Sequence, residues 1–399
     1  MKSPSILLCA VTMSSSLLFL EAAHGSTFQI VYSFCSSYKC ADGAAPYSPR
    51  LLRYGDKLYG TTYLGGEGGV GTIFTIDVKT GAERVEHSFS ETDPAEGANP
   101  IAGLTNVNGI FYGTTRDGGL YEVGTVFSFD PSSRSAKVLY SFNNQFGSDA
   151  YFPQAGVVKA KDALYGTTVA GGDGYNGTVF SFNLNTGTES VVYSFNGRAD
   201  GGIPEAGLTN LNGALYSTTY NGGTQTRGTV FKFDPKTGTE AVLHSFPTAD
   251  GDGISPESGL INVDGILSGT TSQYGKHDGG TVFSFDPTHG REKTLYSFCR
   301  RRNCADGANP GADLLSVKGV LYGTTANGGR YGWGTVFSLN LSTGMETVVH
   351  SFNQTDGAMP LAPLTEVNGK LFGTTQRGAL EGGGQCFQYG CGTVFSIVP

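Results

Sequence analysis

The tetrapeptide Tyr59-Gly60-Thr61-Thr62 decides the fold, because the chain repeats it along its whole length. Full copies begin at Tyr112, Tyr165 and Tyr322, and variants begin at Tyr216, Ser268 and Phe372. The second positions of the seven copies lie 50 to 54 residues apart. This period is too long for leucine-rich or ankyrin repeats, and it fits a four-stranded propeller blade.

Two further phrases accompany each copy. A Gly-Thr-Val-Phe phrase follows it, beginning at Gly71 (with Ile73), Gly124, Gly177, Gly228, Gly280, Gly334 and Gly392. A phrase ending in Ser-Phe closes at Phe34, Phe89, Phe142, Phe195, Phe246, Phe298 and Phe352. With 61 glycines, 25 phenylalanines, 20 tyrosines and only 15% charged residues, the composition indicates short strands joined by tight turns.

The second repeat shows how one blade is read from the sequence. Residues 101–105 predict a first strand, Asn108-Gly109 a two-residue hairpin turn, and residues 110–115 a second strand. Residues 125–130 and 137–142 predict the third and fourth strands. We therefore expect an all-β, seven-bladed β-propeller with four antiparallel strands in each blade.

The repeat phase is offset from the chain ends. Residues 28–34 match a fourth strand, whereas residues 393–398 match a third strand. We predict that the N-terminal strand is the outermost strand of the last blade, which closes the ring and removes two exposed sheet edges. Residues 26–399 would then form a single domain.

Residues 1–25 have the pattern of a secretory signal peptide. Lys2 precedes an apolar run over residues 6–20, and small residues occupy the cleavage region before Ser26. We expect cleavage, export to the outside of the cell or to the periplasm, and no membrane span in the mature chain.

Six cysteines remain after the signal peptide, in three local pairs of identical spacing: Cys35 and Cys40, Cys299 and Cys304, Cys386 and Cys391. Zinc sites also use such pairs. An even count in an exported chain favours disulfides, each contributing about 2 kcal/mol in the chain-entropy view. We therefore predict three disulfides, with neither a metal nor a cofactor.

The repeat strings resemble those of the GloVer tandem-repeat family and, more distantly, kelch-type propellers. The resemblance covers residues 28 to 398 and implies no particular activity. Many family members end in a surface-anchoring segment, which this chain lacks after Pro399, so the resemblance implies a freely secreted or periplasmic protein.

Residues present in every repeat are expected to serve blade packing, so we looked for function where the copies differ. In a propeller, the loop between strands two and three and the link from strand four to the next blade emerge on one face. The three cysteine pairs fall in such segments of adjacent blades, which predicts one disulfide-rich sector as the binding site. The candidate binding residues there are Tyr38, Lys39, Arg300, Arg301, Arg302, Tyr331, Trp333, Arg377, Phe387 and Tyr389.

Aromatic platforms beside cationic groups suit sugars, acidic sugars in particular, and they also suit a protein partner. The alternative interpretation is that the disulfides only stiffen long loops. A net charge of -8 leaves no broad basic face for nucleic acid.

We expect a monomeric binding or interaction module whose ligand is a polysaccharide or an extracellular protein. A polysaccharide-active enzyme, either a uronate lyase or a hydrolase, is the alternative, although no catalytic set can be chosen from the sequence. A purely structural surface protein is a third hypothesis.

Overall fold

Seven four-stranded antiparallel sheets, one for each repeat, make up the protein, as the sequence predicts. The computed structural model describes residues 26–47, 50–90, 96–144, 149–247, 251–379 and 390–399. The signal-peptide prediction for residues 1–25 lies outside this part of the chain.

We number the blades in chain order and the strands of each blade from the innermost outward. The strands are Leu52–Tyr54, Lys57–Thr62, Gly69–Asp77 and Glu83–Ser90 in blade 1; Thr105–Val107, Ile110–Thr115, Thr125–Asp130 and Ser135–Ser141 in blade 2; Val158–Ala160, Ala163–Thr168, Thr178–Asn183 and Thr188–Ser194 in blade 3; Thr209–Leu211, Ala214–Thr219, Thr229–Asp234 and Thr239–Ser245 in blade 4; Ile261–Val263, Ile266–Thr271, Thr281–Asp286 and Arg291–Ser297 in blade 5; Leu315–Val317, Val320–Thr325, Thr335–Asn340 and Glu346–Ser351 in blade 6; and Thr365–Val367, Lys370–Thr375, Thr393–Val398 and Thr27–Ser33 in blade 7.

Short elements occur in the loops. Three pairs of two-residue strands join Gly97–Ala98 with Asp117–Gly118, Ala150–Tyr151 with Ala170–Gly171, and Gly253–Ile254 with Gln273–Tyr274. Two short 3₁₀ helices cover Tyr38–Cys40 and Arg302–Cys304.

The ring closes through the N-terminal strand, as predicted. Thr27–Ser33 pairs antiparallel with Thr393–Val398, from Thr27 opposite Val398 to Ser33 opposite Thr393. The first strands of neighbouring blades contact one another, including the first strand of blade 1 with that of blade 7. The first strands therefore surround a central axis.

The repeated glycine makes room for an inter-blade aromatic contact. A Cβ atom on Gly113 would lie 2.6 Å from the ring of Phe127. That ring packs edge-to-face on Phe89 of the preceding blade, with centroids 5.4 Å apart. The equivalent pair occurs at all seven blade junctions, with centroid distances of 4.9 to 5.4 Å. The Tyr-Gly-Thr-Thr phrase of one blade therefore packs, through the phenylalanine of the Gly-Thr-Val-Phe phrase, against the Ser-Phe phrase of the preceding blade.

The repeated threonines join strands and blades by hydrogen bonds. Thr115 and Thr125 share a hydrogen bond of 2.8 Å between their hydroxyls inside blade 2. The preceding Thr114 hydroxyl donates to the carbonyl of Ala155 in blade 3 at 2.9 Å. Because these side chains are buried and paired, their repetition is explained by stability.

Candidate binding face

One face of the propeller carries both the longest loops and the links between blades. Backbone bridges join the two kinds of segment, for example Ala44 with Leu64 in blade 1 and Ala308 with Asn327 in blade 6. We call this side the loop face. The opposite side, which carries the turns between strands one and two and between strands three and four, we call the hairpin face.

An aspartate that recurs in the inter-blade links, at positions 42, 200, 252, 306 and 356, orders the backbone around it. Asp306 accepts hydrogen bonds from the amides of Arg300 and Arg301 at 3.0 and 3.1 Å, and from the Tyr296 hydroxyl at 2.8 Å. Asp42 is bonded in the same way to the amides of Ser36 and Ser37 and to a tyrosine. These carboxylates order the links between blades.

Two of the predicted disulfides lie wholly within the described residues, Cys35–Cys40 and Cys299–Cys304. Cys386 of the third pair lies outside them. The sulfur of Cys391 lies within 4.8 Å of the sulfurs of Cys35 and Cys40. Two of the three cysteine segments therefore meet at the junction of blades 7 and 1.

The third segment lies at the junction of blades 5 and 6. The carbonyl of Cys304 accepts the amide of Gly329, so this loop packs on the loop between strands two and three of blade 6. In a seven-bladed ring, two junctions that are two blades apart are separated by about 100°. The disulfide-rich sector therefore extends over blades 5 to 1.

Tyr38 and Lys39 form an exposed tip on the first disulfide loop. The Tyr38 side chain is 84% exposed, and the Lys39 ammonium lies 5.5 Å from the centroid of its ring. This pair is available to a ligand on the loop face.

The three arginines of the second disulfide loop are exposed, but they are not equivalent. The Arg301 guanidinium donates to the Glu346 carboxylate at 2.9 Å, and the Glu346 side chain is only 1% exposed. Arg301 is thus held against blade 6 as the partner of a buried acid. The side chains of Arg300 and Arg302 lie on the surface.

The remaining predicted residues belong to blades 6 and 7. Tyr331 is 50% exposed, with the Arg330 guanidinium 5.4 Å from its ring centroid. Trp333 is half-buried and packs against the core between blades 6 and 7. Arg377 is half-buried and pairs through its backbone with Ala358. Phe387 and Tyr389 lie outside the described residues.

A cavity of about 270 Å³ lies on the axis, where the links reach the first strands on the loop face. Residues of all seven blades line it, and its charged and amide side chains are Arg50, Gln154, Glu205, Glu257 and Asp313. We call it the axial cavity. It was not predicted from the sequence.

An ion pair joins blades 1 and 6 at this cavity. The Arg50 guanidinium of blade 1 lies 3.2 Å from the Asp313 carboxylate of blade 6. Asp313 also accepts the amide of Gly259 at 2.6 Å. Arg50 also lines a second cavity of about 560 Å³ nearer the hairpin face.

Glu205 and Glu257 occupy equivalent positions in blades 4 and 5. Burial, assisted by the charge of Glu257, raises the pKa of Glu205 to about 7. Burial also raises the pKa of Glu257, opposed by a 2.7 Å hydrogen bond from the Ser272 hydroxyl. Perturbed carboxyls in a cavity are typical of functional sites.

Aromatic and cationic side chains form a cluster on the loop face that lies outside the lining of the axial cavity and is linked to its glutamates through Tyr47. The rings of Tyr47 and Tyr63 have centroids 6.0 Å apart, and the Arg116 guanidinium donates to the Tyr63 hydroxyl at 3.3 Å. Burial raises the pKa of Tyr47, and the charges of Glu205 and Glu257 add to this shift. We call Tyr47, Tyr63 and Arg116 the axial rim.

The repeat itself held a signal for this site. Gln154, Glu205 and Glu257 each follow the proline of an inter-blade link, where other blades carry residues such as Ile101 or Leu361. Arg116 and Tyr63 each follow the second threonine of the tetrapeptide, another position at which the copies differ. Superposing the repeats would have found both positions.

A profile built from the Gloeobacter/Verrucomicrobia repeat matches residues 14–158, 94–282, 144–324 and 203–398 in overlapping tandem. The chain belongs to this repeat family. The resemblance noted in the sequence is thereby confirmed. No curated protein matches this member of the Gloeobacter/Verrucomicrobia repeat family significantly.

Solved propellers share the fold of this repeat protein at low sequence identity. An oligogalacturonate lyase in complex with manganese matches with a TM-score of 0.55 and 12% identity, over 94% of this chain and 96% of that one. A putative 6-phosphogluconolactonase from Bacteroides uniformis matches with a TM-score of 0.53 and 16% identity, over 79% of this chain and 88% of that one. At these identities the likeness concerns the fold alone.

Across the described ranges, no helix has the length and apolar character needed to cross a membrane. The two disulfides are consistent with a location outside the cell or in the periplasm.

Proposed function

We propose that this repeat protein binds carbohydrate on its loop face. The observation that carries the proposal is the axial cavity, a concave site with convergent polar groups and a neighbouring cluster of tyrosines and arginine. Concave sites of this kind are where small ligands bind in folded proteins. A volume of about 270 Å³ suits one or two sugar units rather than a protein segment.

The chemistry of the site fits sugar hydroxyls and ring faces. Tyr47 and Tyr63 offer aromatic surfaces, and the cavity carboxyls and the Gln154 amide can each exchange hydrogen bonds with hydroxyls. The exposed Tyr38, Arg300 and Arg302 of the disulfide-rich sector lie on the same face. A polysaccharide could therefore contact the sector while one unit occupies the axial cavity.

We further propose that the protein acts as a monomer, secreted or in the periplasm. The disulfides of the loop face support this location, because such bonds persist in oxidising compartments. The signal peptide predicted over residues 1–25 would deliver the chain there.

A glycan-array screen of the mature protein tests the proposal, followed by calorimetric titration of each positive. We expect Tyr63→Ala to weaken binding at least tenfold, because stacking and the hydrogen bond from Arg116 are lost. Trp333→Ala and Arg300→Ala test the disulfide-rich sector separately. Met345→Ala, an exposed change on the hairpin face, is the control.

If no glycan on the array bound and an extracellular protein were captured instead, the ligand would be a protein rather than a carbohydrate. A binding site on the loop face would be contradicted if the glycan bound with equal affinity to wild type, Tyr63→Ala, Trp333→Ala and Arg300→Ala.

An enzymatic role is the second candidate, and the carboxyl of Glu205 favours it. A group with a pKa of about 7 is protonated in a useful fraction near neutral pH and can act as a general acid. Sizing the bound polysaccharide over time decides the matter: shortening chains would indicate cleavage, whereas retention without products would indicate binding alone.

A further inference from the structure

We propose that the axial cavity recognises a protonated amino group, so that the preferred carbohydrate is an amino sugar with a free amine. This inference rests on the proposed carbohydrate binding and narrows it to one substrate class. It comes from the distribution of charge in the cavity and on its rim.

The charges lining the axial cavity do not cancel. Arg50 and Asp313 form an ion pair with each other. That leaves Glu205 and Glu257, and no ion pair within the described part of the chain includes either of them. Two adjacent carboxyls therefore face a concave space without a cation to balance them.

The basic residue at the rim is already engaged. The Arg116 guanidinium lies 3.3 Å from the Asp117 carboxylate and 3.3 Å from the Tyr63 hydroxyl, and it stacks 5.7 Å from the ring centroid of Phe152. Its charge is thus partly compensated beside the cavity. A ligand cation would meet the carboxyls of blades 4 and 5 first.

The Glu257 carboxyl is held in place by its own blade and by blade 6. The Ser272 hydroxyl donates to one oxygen of Glu257, and the other oxygen lies 3.1 Å from the point where a side chain on Gly311 would begin. The charges of both glutamates contribute to the raised pKa of Tyr47. A carboxyl pair beside an aromatic ring is a suitable receptor for an ammonium group, through charge-assisted hydrogen bonds and cation–π attraction.

Proton linkage gives this receptor a distinct signature. Without a ligand, burial and mutual repulsion keep Glu205 partly protonated near pH 7. A bound ammonium favours the ionised carboxylate, so binding near pH 5.5, where the amino-sugar amine is charged and free Glu205 is almost fully protonated, releases close to one proton. A neutral or acidic sugar would release none.

The same charges disfavour a uronate inside the cavity, because its carboxylate would face Glu205 and Glu257. An acidic sugar would instead find the exposed Arg300 and Arg302 of the disulfide-rich sector. The two zones of the loop face thus differ in the charge that they attract.

The probes are a tetramer of β-1,4-linked glucosamine and its fully N-acetylated counterpart, titrated calorimetrically into the mature protein in two buffers of different ionisation enthalpy. We expect the amine probe to bind at least tenfold more tightly than the acetylated probe, with proton release near pH 5.5. Between pH 4.5 and pH 5.5, where the amine stays protonated, its affinity should rise towards tenfold as the carboxyls ionise.

Three substitutions at one repeat position provide matched variants. Glu205→Gln and Glu257→Gln should each weaken amine binding about tenfold or more, since each removes a charged acceptor. Gln154→Glu adds a third carboxyl in blade 3 and should strengthen it. Both glutamine variants should weaken binding of the amine probe more than binding of the acetylated probe, and Met345→Ala on the hairpin face should change neither.

The outcomes separate the two proposals. Equal binding of both probes, or amine binding without proton release, would overturn the amine inference and leave carbohydrate binding intact. Failure of both probes together with a negative glycan array would overturn carbohydrate binding itself. The proton release is measured on the wild-type protein, so the test does not depend on the folding of any variant.

Discussion

The buried glutamates between blades should make the propeller less stable as the pH rises, and Glu189→Gln should remove part of that effect. Glu189 lies on the fourth strand of blade 3, beside Asp149, which accepts the Tyr140 hydroxyl at 2.9 Å. Burial and the charge of Asp149 raise the pKa of Glu189 to about 8. Burial likewise raises the pKa of Glu83, Glu240, Glu292 and Glu346 to about 7.

The direction and the magnitude of this pH dependence of stability follow from proton linkage. In the unfolded chain the glutamate loses its proton near its ordinary pKa of 4.5, whereas the folded protein keeps it up to about pH 8. The stability from this group is therefore full below pH 4.5 and is lost as the pH rises to 8. Each pH unit in this range lowers the free energy of unfolding by at most about 1.4 kcal/mol, so the largest loss between pH 5 and pH 8 is about 4 kcal/mol. Partial access of water reduces the expected value to about 2 kcal/mol.

Thermal melts of wild type and Glu189→Gln at pH 5 and pH 8 measure this difference. The neutral amide should raise Tm at pH 8 by about 3 °C and change it little at pH 5, given the size of the domain. Glu67→Gln, an exposed change, should show no such pH dependence. An equal effect of Glu189→Gln at both pH values would refute the buried, protonated state of this carboxyl.

Three further predictions concern the frame of the propeller. Gly113→Ala should lower the free energy of unfolding by about 2 kcal/mol, because its Cβ would lie 2.6 Å from the Phe127 ring. Ser217→Gly, at the equivalent position of blade 4, should lower it by less than about 1 kcal/mol. Chemical denaturation measures both values, and equal losses of stability would contradict the packing argument. Cys299→Ser should cost about 2 kcal/mol by opening a short loop. Dithiothreitol should therefore lower the melting temperature more in wild type than in the variant, which keeps Cys35–Cys40, and an equal lowering in both would contradict this. Deleting residues 26–34 should expose the edge of Thr393–Val398 and cause aggregation, measured by light scattering; a soluble, cooperatively folded deletion variant would show that closure is dispensable.

The blade architecture could be predicted because each repeated phrase has a local cause. Gly113 is small because Phe127 lies over it, and Asn108-Gly109 forms a hairpin turn from local conformational preference alone. The closure of the ring followed from the phase of the repeat, since residues 28–34 could pair only with an incomplete blade.

The axial cavity could not be found in the same way, because it exists only once seven blades surround one axis. Glu205 and Glu257 are separated by a whole repeat in the sequence, and the packing of blade 4 against blade 5 brings them to one cavity. Arg301 illustrates the opposite case. In the sequence it is one of three free cations, whereas the fold assigns it to Glu346, an acid that looks like an ordinary strand residue.

The most direct test of the central claim is calorimetric titration of each array-positive glycan into wild type, Tyr63→Ala and Met345→Ala. The account predicts that wild type and Met345→Ala bind equally and that Tyr63→Ala binds at least tenfold more weakly. Glycan binding that Tyr63→Ala leaves intact and Met345→Ala abolishes would place the site on the hairpin face and contradict the account.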